Sequence, residues 1–302
     1  MTEAVAGAKR YFIAGSAFDA PSLAAGLYVV ATPIGNLRDI TLRALETLAA
    51  ADLVLCEDTR LSARLLDHYG IKVLRQALHE HNERARIDGI LDALRAGGTI
   101  ALISDAGTPL LSDPGFPLVR AARQAGLPVF AIPGASALLA ALATAGLPTD
   151  AFSFFGFLPA RSGARAKSLS PLKARTDTLA FYESPRRLGA TLGAMADAFG
   201  PEREAAVALE LTKRFERLHR GTLAALAAEF AATQTRGEAV ILVAGAAAPE
   251  PVDAAGWQAA LADALEENQP LRAAVDAVTL RFGLKRKDVY DAALALKAEA
   301  EQ

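Results

Sequence analysis

The sequence predicts an α/β protein whose first half is built on an open, parallel sheet. Two observations carry this. Short apolar runs rich in strand formers alternate with helical patterns from Leu27 to Gly146, as parallel βαβ units require. The runs end in Gly, Pro, Asp and Thr, the residues of strand-to-helix turns. A length of 302 residues suits two domains at roughly 100–200 residues each. With 52% apolar and 22% charged residues, the chain has ample core material and is not disordered as a whole.

The first strand is 27–32 (LYVVAT), followed by the helical LRALETLAA. The second is 52–56 (DLVLC), with helix RLSARLLDHYG closed by Gly70. A third strand falls within 71–78, and an amphipathic helix over 82–96 ends at Gly97-Gly98. Next come strand 99–104, helix 115–125, strand 127–132 and helix 135–146. The second half is mixed, with strands at 152–157, 178–183, 203–210 and 238–244 and helices at 185–199 and 222–232. AAAPEPVD at 246–253 reads as a linker. From Ala254 the pattern is helical, with Gly283 between two helices. That spacing suits a helix-turn-helix or a plain helical hairpin. The expected division is a loose tail at 1–26, α/β domains at 27–147 and 148–246, and a helical extension at 254–302.

Thirty-two basic residues stand against 34 acidic ones, for a net charge of −2. A polyanion would therefore be met by local patches. One cysteine, Cys56, excludes a disulfide framework and a cysteine-rich zinc site. The N-terminus has no secretory pattern. The longest uncharged stretch, 124–149, is broken by Pro128, Pro133, Gly134 and Pro148. Its helical piece would span about 18 Å at 1.5 Å per residue, against about 30 Å for a bilayer core. A cytoplasmic protein with no membrane partner is expected.

Ligands in open α/β sheets bind outside the carboxyl ends of strands, and the strand-end loops hold most of the candidate chemistry. SDAGTPLLSDPG (104–115) pairs Gly107 and Gly115, which allow close backbone approach, with Asp105 and Asp113, which can hold hydroxyls or a cation. ATPIGNLRDIT (31–41) lacks G-x-G-x-x-G, and no P-loop occurs anywhere. For Asp39 and Thr41, helix capping is the preferred reading. PGASA (133–137) is a second small-residue junction, fit either for a ligand or for tight packing. CEDTR (56–60) offers Glu57 or Asp58 as a base and Arg60 as a phosphate grip, with an Asp58 helix cap as the competing reading. HEHN (79–82) is read as polar pocket lining ahead of metal binding, and no H-E-x-x-H is present. Basic groups cluster at Arg161–Arg175, at Lys213, Arg214, Arg217 and Arg220, and at Lys285, Arg286 and Lys287.

In this order, LYVVATPIGNLRDIT, EDTR, LHEHN, ALISDAGTPLLSDPG, PGASA, GFLPA, FYESPRR and LELTKRFE make a chain that resembles the bacterial 16S rRNA (cytidine 2′-O) methyltransferases of the tetrapyrrole methylase superfamily. The resemblance covers about 27–245. It implies two α/β domains with S-adenosylmethionine in the cleft between them, a helical C-terminal extension and a homodimer. It places the cofactor near Pro33, Asp105, Ala106, Gly107, Thr108, Leu111, Ser136, Ala137, Tyr182 and Leu211. Within the matched motifs, Glu57, Asp58 and Lys213 are the catalytic candidates, with His79, Glu183 and Glu210 behind them. Arg38, Arg60, His79, His81, Asn82, Arg186 and Lys213 are the candidates for RNA contact. The implied substrate is a decoding-region cytidine of 16S rRNA, within the 30S subunit, and the chemistry needs no metal. The rivals are a superfamily methyltransferase acting on a tetrapyrrole or a protein side chain, and a non-enzymatic nucleic-acid-binding protein.

Overall fold

A computed structural model describes residues 9–232, 237–247, 254–266 and 270–300. The chain divides into two compact units, Met1–Ala244 and Gly245–Gln302.

The first unit opens with a hairpin, β1 (Arg10–Ile13) and β2 (Ser16–Asp19), where the sequence suggested only a loose tail. Its turn, Ala14-Gly15, has φ of 48° and 85°, the left-handed pair that tight hairpins favour. An alanine there gives no turn signal, which is why the hairpin went unread. Tyr11 is buried against the first core, Phe12 N–H donates to Tyr69 O at 2.8 Å and Lys9 Nζ donates to Ala50 O at 2.6 Å. Residues 1–8 of the expected tail lie outside the described residues.

The first sheet is wholly parallel, in the order β5-β4-β6-β3-β7. Its strands are β3 (Gly26–Val30), β4 (Leu53–Cys56), β5 (Leu74–Ala77), β6 (Thr99–Leu102) and β7 (Val129–Ile132), with α1 (Leu42–Ala50), α2 (Thr59–His68), α3 (Glu83–Arg95) and α4 (Phe116–Gln124) between them. Side chains alternate between two cores, as a strand period of two dictates. Val54, Cys56 and Ala101 meet Leu45, Leu48 and Leu66 on one face. Leu55, Ile100 and Leu102 meet Ile90, Leu94 and Leu118 on the other.

The second sheet is mixed, in the order β11-β10-β12-β9-β8. It contains β8 (Phe152–Phe157), β9 (Thr178–Glu183), β10 (Glu204–Leu209), β11 (Arg217–Thr222) and β12 (Ala239–Val243). Only β8 and β9 pair in parallel, and the other three pairings are antiparallel. One face packs on α7 (Leu188–Phe199) and α8 (Leu223–Ala231) through Phe181, Val207, Ile241, Leu192 and Leu226. The other face is covered by α5 (Ala137–Ala145), whose Leu138, Ala141 and Leu142 meet Ala180, Ala206, Ala208 and Val240. Alanines in the strands let this helix come close. The sequence grouped α5 with the first half, yet it packs on the second sheet. β11 and α6 (Ser162–Leu169) had no signal, because RLHRGT and SGARAKSL are polar.

Among the described residues, the second unit holds three helices, α9 (Ala254–Glu266), α10 (Leu271–Phe282) and α11 (Arg286–Ala300). Leu261, Val275, Val278 and Val289 form its core. Gly283, at φ 63°, is the left-handed C-cap of α10. Of the expected linker, 248–253 lies outside the described residues. Among the described residues, no helix is long and apolar enough to cross a membrane.

Candidate active site

Parallel strands bring their carboxyl ends to one edge. The loops after β3, β4, β6 and β7 therefore converge, and hydrogen bonds join them. Thr32 and Gly107 exchange backbone bonds of 2.8 and 3.0 Å. Thr108 Oγ1 donates to Ala135 O at 3.1 Å, and Asp58 N–H donates to Asp105 Oδ1 at 3.0 Å. Gly107 is required: its φ is +83°, and a Cβ there would lie 3.1 Å from Ile34 Cγ2.

The second sheet meets this edge with the ends of β8, β9 and β10 and the start of β12. Between the two lies a cavity of about 390 Å³, a size suited to a small-molecule ligand. From the first sheet it is lined by Ile34 and the 105–113 loop; Phe157, Tyr182, Glu183, Leu211 and Glu238 are among the residues from the second. Five described residues other than glycine have positive φ, and four of them, Leu110, Ser112, Glu210 and Thr212, lie in two loops beside this cavity. Each costs about 1–2 kcal/mol, and such strain collects at functional sites.

Of the ten residues expected at the cofactor, eight line the cavity: Asp105, Ala106, Gly107, Thr108, Leu111, Ala137, Tyr182 and Leu211. Pro33 is buried beside the lining Ile34. Ser136 is the N-cap of α5, accepting from Leu139 N–H. The carboxylates are unequal. Burial first, then the nearby Glu57 charge, pushes Asp113 up to about 6, against a Ser104 hydrogen bond that opposes the shift. Glu57 is also raised, by partial desolvation and then by Asp105 and Glu80. Burial likewise raises the Tyr182 hydroxyl.

Asp58 takes the capping reading. It accepts from Arg60 N–H at 2.8 Å and from the Arg60 guanidinium at 2.8 Å. These contacts hold it down at about 2, which makes it a poor base. Arg60 is thereby paired, though exposed. Lys213 Nζ reaches Glu210 at 3.0 Å and Glu238 at 3.3 Å. Burial disfavours its ammonium, but the two carboxylates outweigh this and raise its pKa. Glu183 is a buried anchor, accepting from Ser184 N–H and Thr191 Oγ1, both at 2.7 Å. Arg38 and Arg186 are exposed, in short turns after β3 and β9. His79 and Asn82 brace their own turn through His79 N–H to Asn82 Oδ1 at 2.9 Å, and His81 is exposed nearby. Sequence reasoning missed Ala208 and 237–240, which carry no motif, gave Phe157 of the GFLPA motif no role, and left Asp113 out of the cofactor set.

The two sheets and the cavity between them belong to a chain of the tetrapyrrole (corrin/porphyrin) methylase family, whose model matches residues 26–227. Residues 250–297 match the RsmI C-terminal HTH domain. Within that family the chain groups with proteins named ribosomal RNA small subunit methyltransferase I. The one from Mesorhizobium japonicum is 58% identical over 230 residues, 75% of this chain and 78% of that protein. The one from Pseudomonas aeruginosa is 47% identical over 271 residues, 89% and 96% of the two chains. Among solved structures, uroporphyrin-III C-methyl transferase from Thermus thermophilus, complexed with S-adenyl homocysteine, superposes with a TM-score of 0.53 at 21% identity. The match covers 72% of this chain and 97% of that one, and bears on the fold alone.

Proposed function

We propose that this chain transfers a methyl group from S-adenosylmethionine to the ribose 2′-hydroxyl of a decoding-region cytidine in 16S rRNA, acting on the 30S subunit in the cytoplasm as a homodimer. The observation that carries the reading is the cavity between the two loop edges, lined by eight of the ten residues its family motifs single out. The lining fits the cofactor: Ile34, Leu111, Leu211 and Val240 offer apolar surface for a purine, and Asp105 and Asp113 offer carboxylates for its positive groups. Bound there, S-adenosylmethionine supplies a methyl group already activated on a sulfonium.

The protein's remaining task is to orient the acceptor and remove its proton. Glu57 stands at the end of β4, coupled to Asp105 and Asp113. Its raised pKa makes it the better base of the CEDTR pair, and it takes the 2′-hydroxyl proton. Asp58 holds the start of α2 in place. Lys213, bridging Glu210 and Glu238 at the cavity wall, positions that wall. Arg38, Arg60 and Arg186 meet phosphates, with His79, His81 and Asn82 lining the approach.

The test is methyl transfer from labelled S-adenosylmethionine to 30S subunits from cells lacking the protein, with the product nucleotide mapped. A single alkali-resistant 2′-O-methylcytidine is expected. Cofactor binding with no transfer to 30S would move the acceptor to a small molecule or a protein.

A further inference from the structure

The connection from β10 to β11, residues 210–216, leaves the cavity wall at Leu211 and returns along the edge strand β11. Hydrogen bonds tie its backbone down on both sides of the tip. Glu210 N–H donates to Glu238 O at 3.1 Å, Lys213 N–H to Glu210 O at 3.0 Å and Glu216 N–H to Lys213 O at 3.2 Å. The Glu216 carboxylate accepts from Thr212 N–H at 2.6 Å. The Lys213 stem lies over Gly35, where any Cβ would collide with it, which brings the Arg38 loop alongside.

At the tip of this braced loop, Phe215 is 66% exposed. The Arg214 guanidinium lies over its ring, 5.6 Å from the centroid. Single exposed apolar residues are ordinary. This one differs, because it stands on a hydrogen-bonded loop whose base, Glu210 and Thr212, is strained, a few residues from a cavity wall, with a cation stacked on it. Three arginines, Arg214, Arg217 and Arg220, stand close to it in the chain, while Lys213 is held by Glu210 and Glu238 and the Glu216 carboxylate accepts from Thr212 N–H. Unpaired RNA bases stack on aromatic rings and guanidinium planes, while phosphates seek cations. A protein partner or a lipid would not require both features on a rigid loop.

We propose that Phe215, with Arg214 over its ring, is a stacking platform for an unpaired RNA base beside the acceptor nucleotide. This rests on the RNA-methyltransferase reading and adds the residue that holds the splayed strand. Because the loop is already ordered, docking a base there loses little conformational freedom.

The test uses the full chain as F215A and F215W, the latter in a W257F background so that position 215 carries the sole tryptophan. F215A is expected to raise KM for 30S at least about fivefold, the scale of one base–aromatic stack. Its kcat should stay within about twofold, with S-adenosylmethionine affinity and molecular mass unchanged. F215W should restore KM and lose fluorescence when a single-stranded RNA oligonucleotide is added. An unchanged KM in F215A, a change in its assembly state that accounts for the KM, or unquenched F215W emission would overturn the platform. If the wild type transfers nothing to 30S, the parent reading fails, and the quenching experiment still decides the platform by itself.

Discussion

The two sheets border one cavity and reach it differently. Every strand of the first sheet runs the same way, so four loops from four strands arrive together at one edge. Those loops are rich in Gly, Pro and Asp, and they carry Glu57, Asp105 and Asp113. The second sheet is mostly antiparallel. It contributes strand ends, an aromatic and aliphatic wall, and a short basic connection. Parallel pairing concentrates backbone groups and acids in one place, whereas antiparallel pairing supplies a shaped wall and an exposed edge. On the proposed reading, the acids for chemistry stand on the first sheet, whereas the second supplies the cavity's wall and an exposed basic edge.

The sharpest way to break this division is at the base. Glu57→Gln should lower kcat about 10²–10⁴-fold with cofactor affinity intact, measured by single-turnover transfer and calorimetry. Asp58→Asn should do little, since asparagine caps a helix about as well. Equal losses in both variants would move the chemistry elsewhere.

The next comparison sets one glycine from each sheet against the other. Gly107 and Gly156 both have left-handed φ, +83° and +63°, so alanine at either strains the backbone by about 1–2 kcal/mol. A Cβ on Gly107 meets Ile34 in the stitched loop edge, whereas one on Gly156 meets Ser112 Oγ at 2.7 Å, a hydroxyl free to rotate. Gly107→Ala should weaken cofactor binding about tenfold or more. Gly156→Ala should lower Tm and leave binding nearly intact.

Asp113 offers a pH-resolved test. Its folded pKa, about 6, lies above its ordinary value of 3.8, so the fold prefers the protonated form. The stability this contributes is complete below about pH 4 and is lost as pH rises through 6. Asp113→Asn should therefore match the wild-type Tm at pH 4 and exceed it by a few degrees at pH 7. A difference that did not grow between those values would remove the buried charge from the account.

The smallest effects come from two matched caps. Ser136 caps α5 and Thr222 caps α8, and alanine at either should cost about 1 kcal/mol in denaturant unfolding. Only Ser136→Ala should also weaken the cofactor, because α5 alone begins at the cavity.

Much of the first sheet was legible because each parallel strand is a short apolar run closed by a turn, and each helix pattern fills a gap between runs. The cavity loops were legible for the same reason: SDAGTP and PGASA use residues chosen by backbone demands. The hairpin at Arg10–Asp19, the polar strand β11 and the polar helix α6 were not. The Ala14-Gly15 turn of the hairpin carries no strong turn signal, and RLHRGT and SGARAKSL are too polar to show a hydrophobic period. Asp58 shows a finer limit. The sequence offers two adjacent acids, and only the hydrogen bonds to Arg60 reveal which one is committed to a cap.

The sequence by itself determined the fold class, the family motifs and which loops lie at strand ends, since these depend on local periodicity and backbone preference. Tertiary structure alone decided that α5 packs on the second sheet, that 237–240 and Phe157 complete the cavity, and that the Asp113 carboxyl is held near 6. Packing, desolvation and charge–charge coupling join residues far apart in the chain, and no local pattern records which of them will meet.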